Sequence, residues 1–104
     1  MTWVVLFVAG LFETAWALAL KQSDGFSKLG PSVLFLITLA LSMVLLAIAL
    51  RDLPVGTGYA VWTGTGAVGA AIAGMVFLGD AATLARILPI GLIAVGIVWL
   101  ALAE

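Results

Sequence analysis

The chain has 104 residues, of which 65% are hydrophobic and 9% are charged, and its formal net charge is −1. Its mean hydropathy of +1.36 lies far outside the ordinary soluble range and indicates an integral membrane protein. Four basic residues offer no patch for nucleic acid, and the absence of His and Cys removes imidazole and thiolate metal ligands.

Four apolar runs predict four transmembrane helices, at about residues 2–20, 31–50, 55–78 and 84–103. Each run has roughly the 20 residues that a helix needs to cross a bilayer. Because the runs use nearly the whole length, we predict an all-α membrane protein with a single four-helix domain over residues 1–104.

Glu13 lies about halfway along the first run, which otherwise contains only apolar, small or weakly polar residues. An ionised group at the bilayer centre costs from a few to more than ~10 kcal/mol, so such residues usually face a protein interior or a water-filled path. Helical spacing places Gly10 and Trp16 on the same stripe. Gly10 would let another helix approach closely, and Trp16 offers either an indole donor to a site or bulk to the lipid.

The second run is aliphatic, with Thr38 and Ser42 as its only interior hydroxyls. Either hydroxyl could bond to the carbonyl one turn back, so Ser42 alone is as compatible with that role as with a site. Pro31 suits the first turn of this helix. The short connection at residues 51–54 predicts that the second and third helices are antiparallel neighbours.

The third run is crowded with small residues. Gly66, Ala70 and Gly74 recur at four-residue spacing and predict a ridge for close helix contact, with a bend expected at residues 64–66. Tyr59 and Trp62 lie one turn apart and present two aromatic rings on one face, where packing and a binding site are both open interpretations.

The fourth run has no interior charge and is interpreted as structural, with Pro89 expected to loosen its first turns. The basic residues give only a weak orientation signal. Lys21, Lys28 and Arg86 fall on one side of the membrane and Arg51 on the other. This slight bias favours the Lys21 side as cytoplasmic and is small enough to allow both orientations.

One buried acid per chain, aromatic residues and no basic partner inside the membrane together indicate a cation site. A carboxylate can hold either a proton or a cation, and competition for that one group is sufficient for exchange. Four thin helices enclose little volume, so a cavity flanked by protein requires a second copy of the chain.

The sequence resembles the small multidrug resistance family over essentially its full length, and within it the guanidinium-exporter subtype. The residues that carry this resemblance are Gly10, Glu13 and Trp16 at three-residue spacing, Leu20-Lys21, LPVGTGYAVWTG at 53–64 and GAVGA at 66–70. The resemblance implies an antiparallel homodimer in the bacterial inner membrane that exchanges protons for guanidinium or small guanidinyl cations and needs no cofactor or metal.

The resemblance also implies roles for individual residues. Glu13 of both protomers would face one pocket and bind proton or substrate alternately. Trp16, Ser42, Tyr59 and Trp62 would hydrogen-bond to the two acids or wall them.

Three alternatives share some of these features. A multidrug exporter of larger quaternary ammonium or lipophilic cations would keep the fold and Glu13 but differ in pocket size. A proteolipid ring subunit also holds one buried carboxylate, but such subunits are usually helical hairpins. An intramembrane enzyme is the weakest alternative, because a single chain has no nucleophile–base pair, second buried acid or metal-ligand cluster.

Overall fold

The computed structural model describes residues 1–103 and folds them into α-helices long and apolar enough to span a membrane. These helices are α1 (Thr2–Gln22), α2 (Leu29–Ala49), α3 (Val55–Phe77) and α4 (Leu84–Ala103). The prediction of an all-α protein with four membrane-spanning helices is therefore confirmed. No helix end lies more than two residues from its predicted position.

Helix α1 is the centre of the packing. It lies against both α2 and α3, whereas α4 packs only against α3 within residues 1–103. Although α2 and α3 are joined by a short connection, they make few contacts with each other and each packs mainly on α1. The expected pairing of α2 with α3 is thus a minor contact, because the closer approach is made between α1 and each of the other two.

The buried core sits at the end of the bundle that holds the start of α1. Its members are the apolar residues Leu6, Ala9, Leu46, Ala49, Val61 and Trp62. They come from the beginning of α1, the end of α2 and the beginning of α3, which the antiparallel arrangement brings to one level. At this end the Thr2 hydroxyl donates a hydrogen bond to Asp52 at 2.9 Å and links the start of α1 to the α2–α3 connection.

The α1–α2 connection at the opposite end is folded onto the helices. The Ser23 hydroxyl accepts a hydrogen bond from the Phe26 N–H at 3.1 Å, and residues 24–26 all adopt the left-handed backbone conformation. The Phe26 ring meets Phe35 edge-on with centroids 5.4 Å apart, and Phe35 meets Trp16 edge-on at 5.8 Å. A continuous row of three rings therefore joins this connection to the residue one turn beyond Glu13.

Helix α4 differs from the other three because it has no buried residue. Pro89 lies inside it without interrupting the helix, and α3 likewise continues through residues 64–66. Large apolar side chains such as Leu92, Trp99 and Leu102 are exposed along α4. Nothing else in residues 1–103 covers this surface.

Candidate functional site

Glu13 lies on the side of α1 that faces α3, and only 8% of its surface is exposed. Its side chain occupies the space in which Gly66 lacks a side chain, since a Cβ built on Gly66 would overlap the carboxyl group. The glycine therefore serves as a seat for the acid. Any larger residue at position 66 would force the Glu13 side chain or one of the two helices to move.

The same α1–α3 contact contains two further glycines, one on each helix. A Cβ on Gly10 would lie 2.6 Å from the Thr65 methyl group, and one on Gly69 would overlap the Thr14 hydroxyl. The Thr14 hydroxyl can donate a hydrogen bond to the Gly10 carbonyl at 3.3 Å or to the Gly66 carbonyl at 3.4 Å. The three glycines thus let the helices approach closely on either side of Glu13.

The Glu13 carboxylate has neither a hydrogen-bond donor nor a cationic partner among residues 1–103. Two other buried polar atoms in this part of the chain also lack a partner, namely Nε1 of Trp16 and Oγ1 of Thr65. Trp16 is one turn along α1 from Glu13, and Thr65 directly precedes Gly66. A buried polar group left unpaired costs ~1–3 kcal/mol, so the Trp16 N–H and the Thr65 hydroxyl need partners that residues 1–103 of a single chain do not supply.

Ser42 and Trp62 are brought together in the core beside Ala9, which lies one turn before Glu13 in α1. The Trp62 Nε1–H donates to Ser42 Oγ at 2.9 Å, and the Ser42 hydroxyl donates to the Ala9 carbonyl at 2.7 Å. Both side chains are buried, and the two bonds connect α3 to α2 and α2 to α1. Ser42 is therefore bonded to the backbone of the Glu13 helix and not to the carboxylate.

Tyr59 lies beside Trp62, with ring centroids 5.3 Å apart and an interplanar angle of 58°. Unlike Trp62 it is largely accessible, with 53% of its surface exposed. Gly66 lies seven positions further along the helix, a rise of about 10 Å. Within one chain the structure thus joins Tyr59 to Trp62 but not to Glu13.

The remaining two residues of the small-residue ridge border a cavity. Ala70 and Gly74 line a partly open space of about 250 Å³ between α1 and α3, at the end remote from the core. Lys21 and Asp80 line it as well. The ridge therefore serves as the seat of the acid at Gly66 and as a cavity wall beyond it.

Sequence reasoning missed several polar residues that the structure brings near Glu13 or to this cavity. Thr14 and Thr65 each directly adjoin a residue that it did single out, and this adjacency was the only available signal. Lys21 entered the sequence analysis only through the orientation bias and the Leu20-Lys21 motif, and Asp80 was not considered as a site residue. Among residues 1–103 no group of three or more His, Cys, Asp or Glu side chains could hold a metal ion.

Comparison with known proteins places this geometry in context. The family model for the Small Multidrug Resistance protein matches residues 1–93. A guanidinium exporter from Yersinia pseudotuberculosis is 57% identical over 104 residues, which is 100% of both chains. A guanidinium exporter from Salmonella typhimurium is 52% identical over 103 residues, covering 99% of this chain and 98% of the relative. One from Citrobacter freundii has the same identity and coverage.

Proposed function

This chain belongs to the small multidrug resistance family, and from that premise we propose that it is a proton-coupled antiporter that exports guanidinium and small guanidinyl cations. The observation that carries the proposal is the Glu13 carboxylate, which is buried in a membrane-spanning helix without a donor or cation to pair with in residues 1–103. The names of the full-length relatives supply the class of substrate. The resemblance stated from the sequence is thereby confirmed.

Guanidinium suits this site because of its shape and its donors. It is planar, and its N–H groups can form two parallel hydrogen bonds to one carboxylate. Its flat face can also stack on an indole or phenol ring. We assign this stacking role to Trp16, Tyr59 and Trp62 as part of the proposal, and Ser42 holds Trp62 in place through the hydrogen bond described above.

Competition for one acid couples the two fluxes. A proton that reaches Glu13 from the outer side displaces the cation, and guanidinium from the inner side displaces the proton. The carrier changes its open side only with the acid occupied, so inward proton flow drives export through two alternating states. This is secondary transport and no covalent chemistry is involved.

A second copy of the chain completes the site in this proposal. Two unpaired groups, the Trp16 N–H one turn along α1 from Glu13 and the hydroxyl of Thr65 next to Gly66 in sequence, need partners that residues 1–103 of one chain do not supply. An antiparallel homodimer, with one protomer in each orientation, agrees with the weak bias of the basic residues. Helix α4, which is unpacked on its outer side, then contributes contact between protomers in the bacterial inner membrane.

The test is proton movement in liposomes that contain only this purified protein, driven by a guanidinium gradient. Wild-type protein is expected to move protons against the guanidinium flux. Glu13→Gln is expected to abolish the coupled flux while eluting as the same particle on size exclusion. Substantial proton-coupled guanidinium flux in this variant would refute the role of Glu13. Movement driven by bulky quaternary ammonium ions but not by guanidinium would favour the multidrug alternative.

A further inference from the structure

The cavity between α1 and α3 has a polar mouth and a wall of small residues. It measures about 250 Å³, and the charged residues that line it are Lys21 at the end of α1 and Asp80 after α3. Ala17, Ala70 and Gly74 form much of the remaining wall. Since one water takes ~30 Å³ in the liquid, a cation of four heavy atoms fits here together with several waters.

Asp80 is directed to this wall by the way that α3 ends. Gly79 adopts a left-handed conformation with φ +73°, and the Asp80 N–H then donates to the Gly74 carbonyl at 3.1 Å. The carboxyl group folds back over Gly74, where a Cβ would overlap it. Two glycines, one in the helix and one in the turn, are therefore needed to place this carboxylate.

The electrostatic environment of the cavity wall at Asp80 favours a cation. The last carbonyls of a helix carry partial negative charge, so a carboxylate folded back onto them adds to a negative region. Lys21 is the chain's own positive group on the opposite wall of the cavity. Arg86 and Lys28 do not line it.

The cavity begins close to the acid in the membrane. Ala17 follows Glu13 by one helical turn, and Ala70 follows its seat Gly66 by one turn, a rise of about 6 Å in each case. Both alanines line the cavity. Asp80 lies over Gly74, about 12 Å along α3 from Gly66.

We infer that this cavity is a second, peripheral binding site for guanidinium-class cations, in which Asp80 receives the cation and Lys21 is the positive group in the cavity lining that repels it. The inference rests on the proposed function and extends it to the route by which substrate reaches Glu13. In the proposed antiparallel dimer, one such cavity opens towards each side of the membrane. The site therefore acts on entry from one side and on release to the other.

The experiment measures the initial rate of guanidinium-driven proton movement in liposomes against guanidinium concentration. Asp80→Asn is expected to raise the KM for guanidinium by roughly two- to fivefold, the range for partly exposed charge pairs, with the maximal rate nearly unchanged. Lys21→Gln is expected to lower the KM. If Asp80 and Lys21 had a purely structural role, the two substitutions would not change the KM in opposite directions.

The matched control is Asp24→Asn, which removes a carboxylate in the α1–α2 connection outside the cavity lining. Asparagine tolerates the left-handed backbone found at position 24, so this variant is expected to fold and to keep the wild-type KM. Raised salt is expected to increase the KM of wild type and of this control more than that of Asp80→Asn, because screening weakens the attraction that the variant already lacks.

The outcomes separate the two proposals. If wild type responds to guanidinium and Glu13→Gln does not, but Asp80→Asn has the same KM and salt dependence as Asp24→Asn, the peripheral site is wrong and the exporter stands. If both Asp80→Asn and Lys21→Gln raise the KM, a structural disturbance explains the data and the site is again refuted. If wild type itself is silent towards guanidinium, the proposed function falls and this site with it.

Discussion

Gly66→Ala tests the seat of the acid by adding a single methyl group. The new Cβ would overlap the Glu13 carboxyl group, and it would also meet the carbons of that side chain, so a small rotation of the carboxylate cannot relieve it. Overpacking of this kind costs ~1–3 kcal/mol where the structure resists. Alanine recovers up to about 1 kcal/mol of helix propensity over glycine, so the net loss of stability is expected to be small.

The larger effect is expected on binding, because the Glu13 carboxyl group would be displaced from its position against Gly66 and from the substrate contact proposed for it there. A hydrogen bond to a charged group contributes ~1.5–3 kcal/mol, so losing one such bond to guanidinium corresponds to roughly a 10- to 150-fold weaker affinity. Guanidinium-driven proton flux in liposomes measures the change in KM, and thermal unfolding in detergent measures stability. We expect a large change in the first with a small change in the second.

Gly56→Ala is the matched control for this substitution. It lies in the same helix, and a Cβ there meets nothing within 4 Å. It should therefore leave both transport and stability close to wild type. If the KM of Gly66→Ala is within twofold of wild type, the proposed role of Gly66 as the seat of Glu13 is wrong. If Gly66→Ala and Gly56→Ala are equally impaired, the cause is a general disturbance of α3 and not the contact with Glu13.

Three further variants probe the contacts around the site by thermal unfolding. Ser42→Ala leaves the buried Trp62 N–H without an acceptor and is expected to cost ~1–3 kcal/mol; adding Trp62→Phe should cost less than the sum of the two changes, and strict additivity would contradict the bond. Gly10→Ala places a Cβ 2.6 Å from the Thr65 methyl group and is expected to cost ~1–3 kcal/mol, so unchanged stability would mean that α1 and α3 are less tightly packed than described. Phe35→Leu removes two edge-on ring contacts and is expected to cost ~1–2 kcal/mol; no loss would contradict the row of rings.

The four helices could be predicted from the sequence because a membrane-spanning segment has to meet only two simple conditions. A segment must be apolar for about 20 residues and must satisfy its backbone internally, and both conditions can be read along the chain. The errors occur at the ends, where α1 continues through Lys21 and Gln22 and α2 begins before Pro31. Polar residues at helix ends reach water from within the helix, so a change in composition marks the membrane boundary and not the end of the helix.

The partners of individual side chains were not predictable in the same way. Spacing placed Glu13, Gly66 and Ser42 on their helices, but the pairing of Glu13 with Gly66 depends on the register between two helices more than 50 positions apart in sequence. Ser42 was left open between a carbonyl of its own helix and a site, and it binds the backbone of another helix. Residue spacing fixes the face of one helix, and only tertiary packing fixes what lies opposite.

The proposed second chain is supported more strongly by the unpaired polar groups than by the exposed apolar surface. Lipid tails cover the outer side of α4 as well as protein does, so its exposure alone gives no strong drive to associate. A bilayer cannot pair the Trp16 N–H or the Glu13 carboxylate, and leaving them unpaired there is costly. A partner, water or substrate must therefore meet these groups. The carboxylate of Glu13 and the unpaired Trp16 N–H are accordingly the features of the single chain that best support the proposed shared, substrate-filled site.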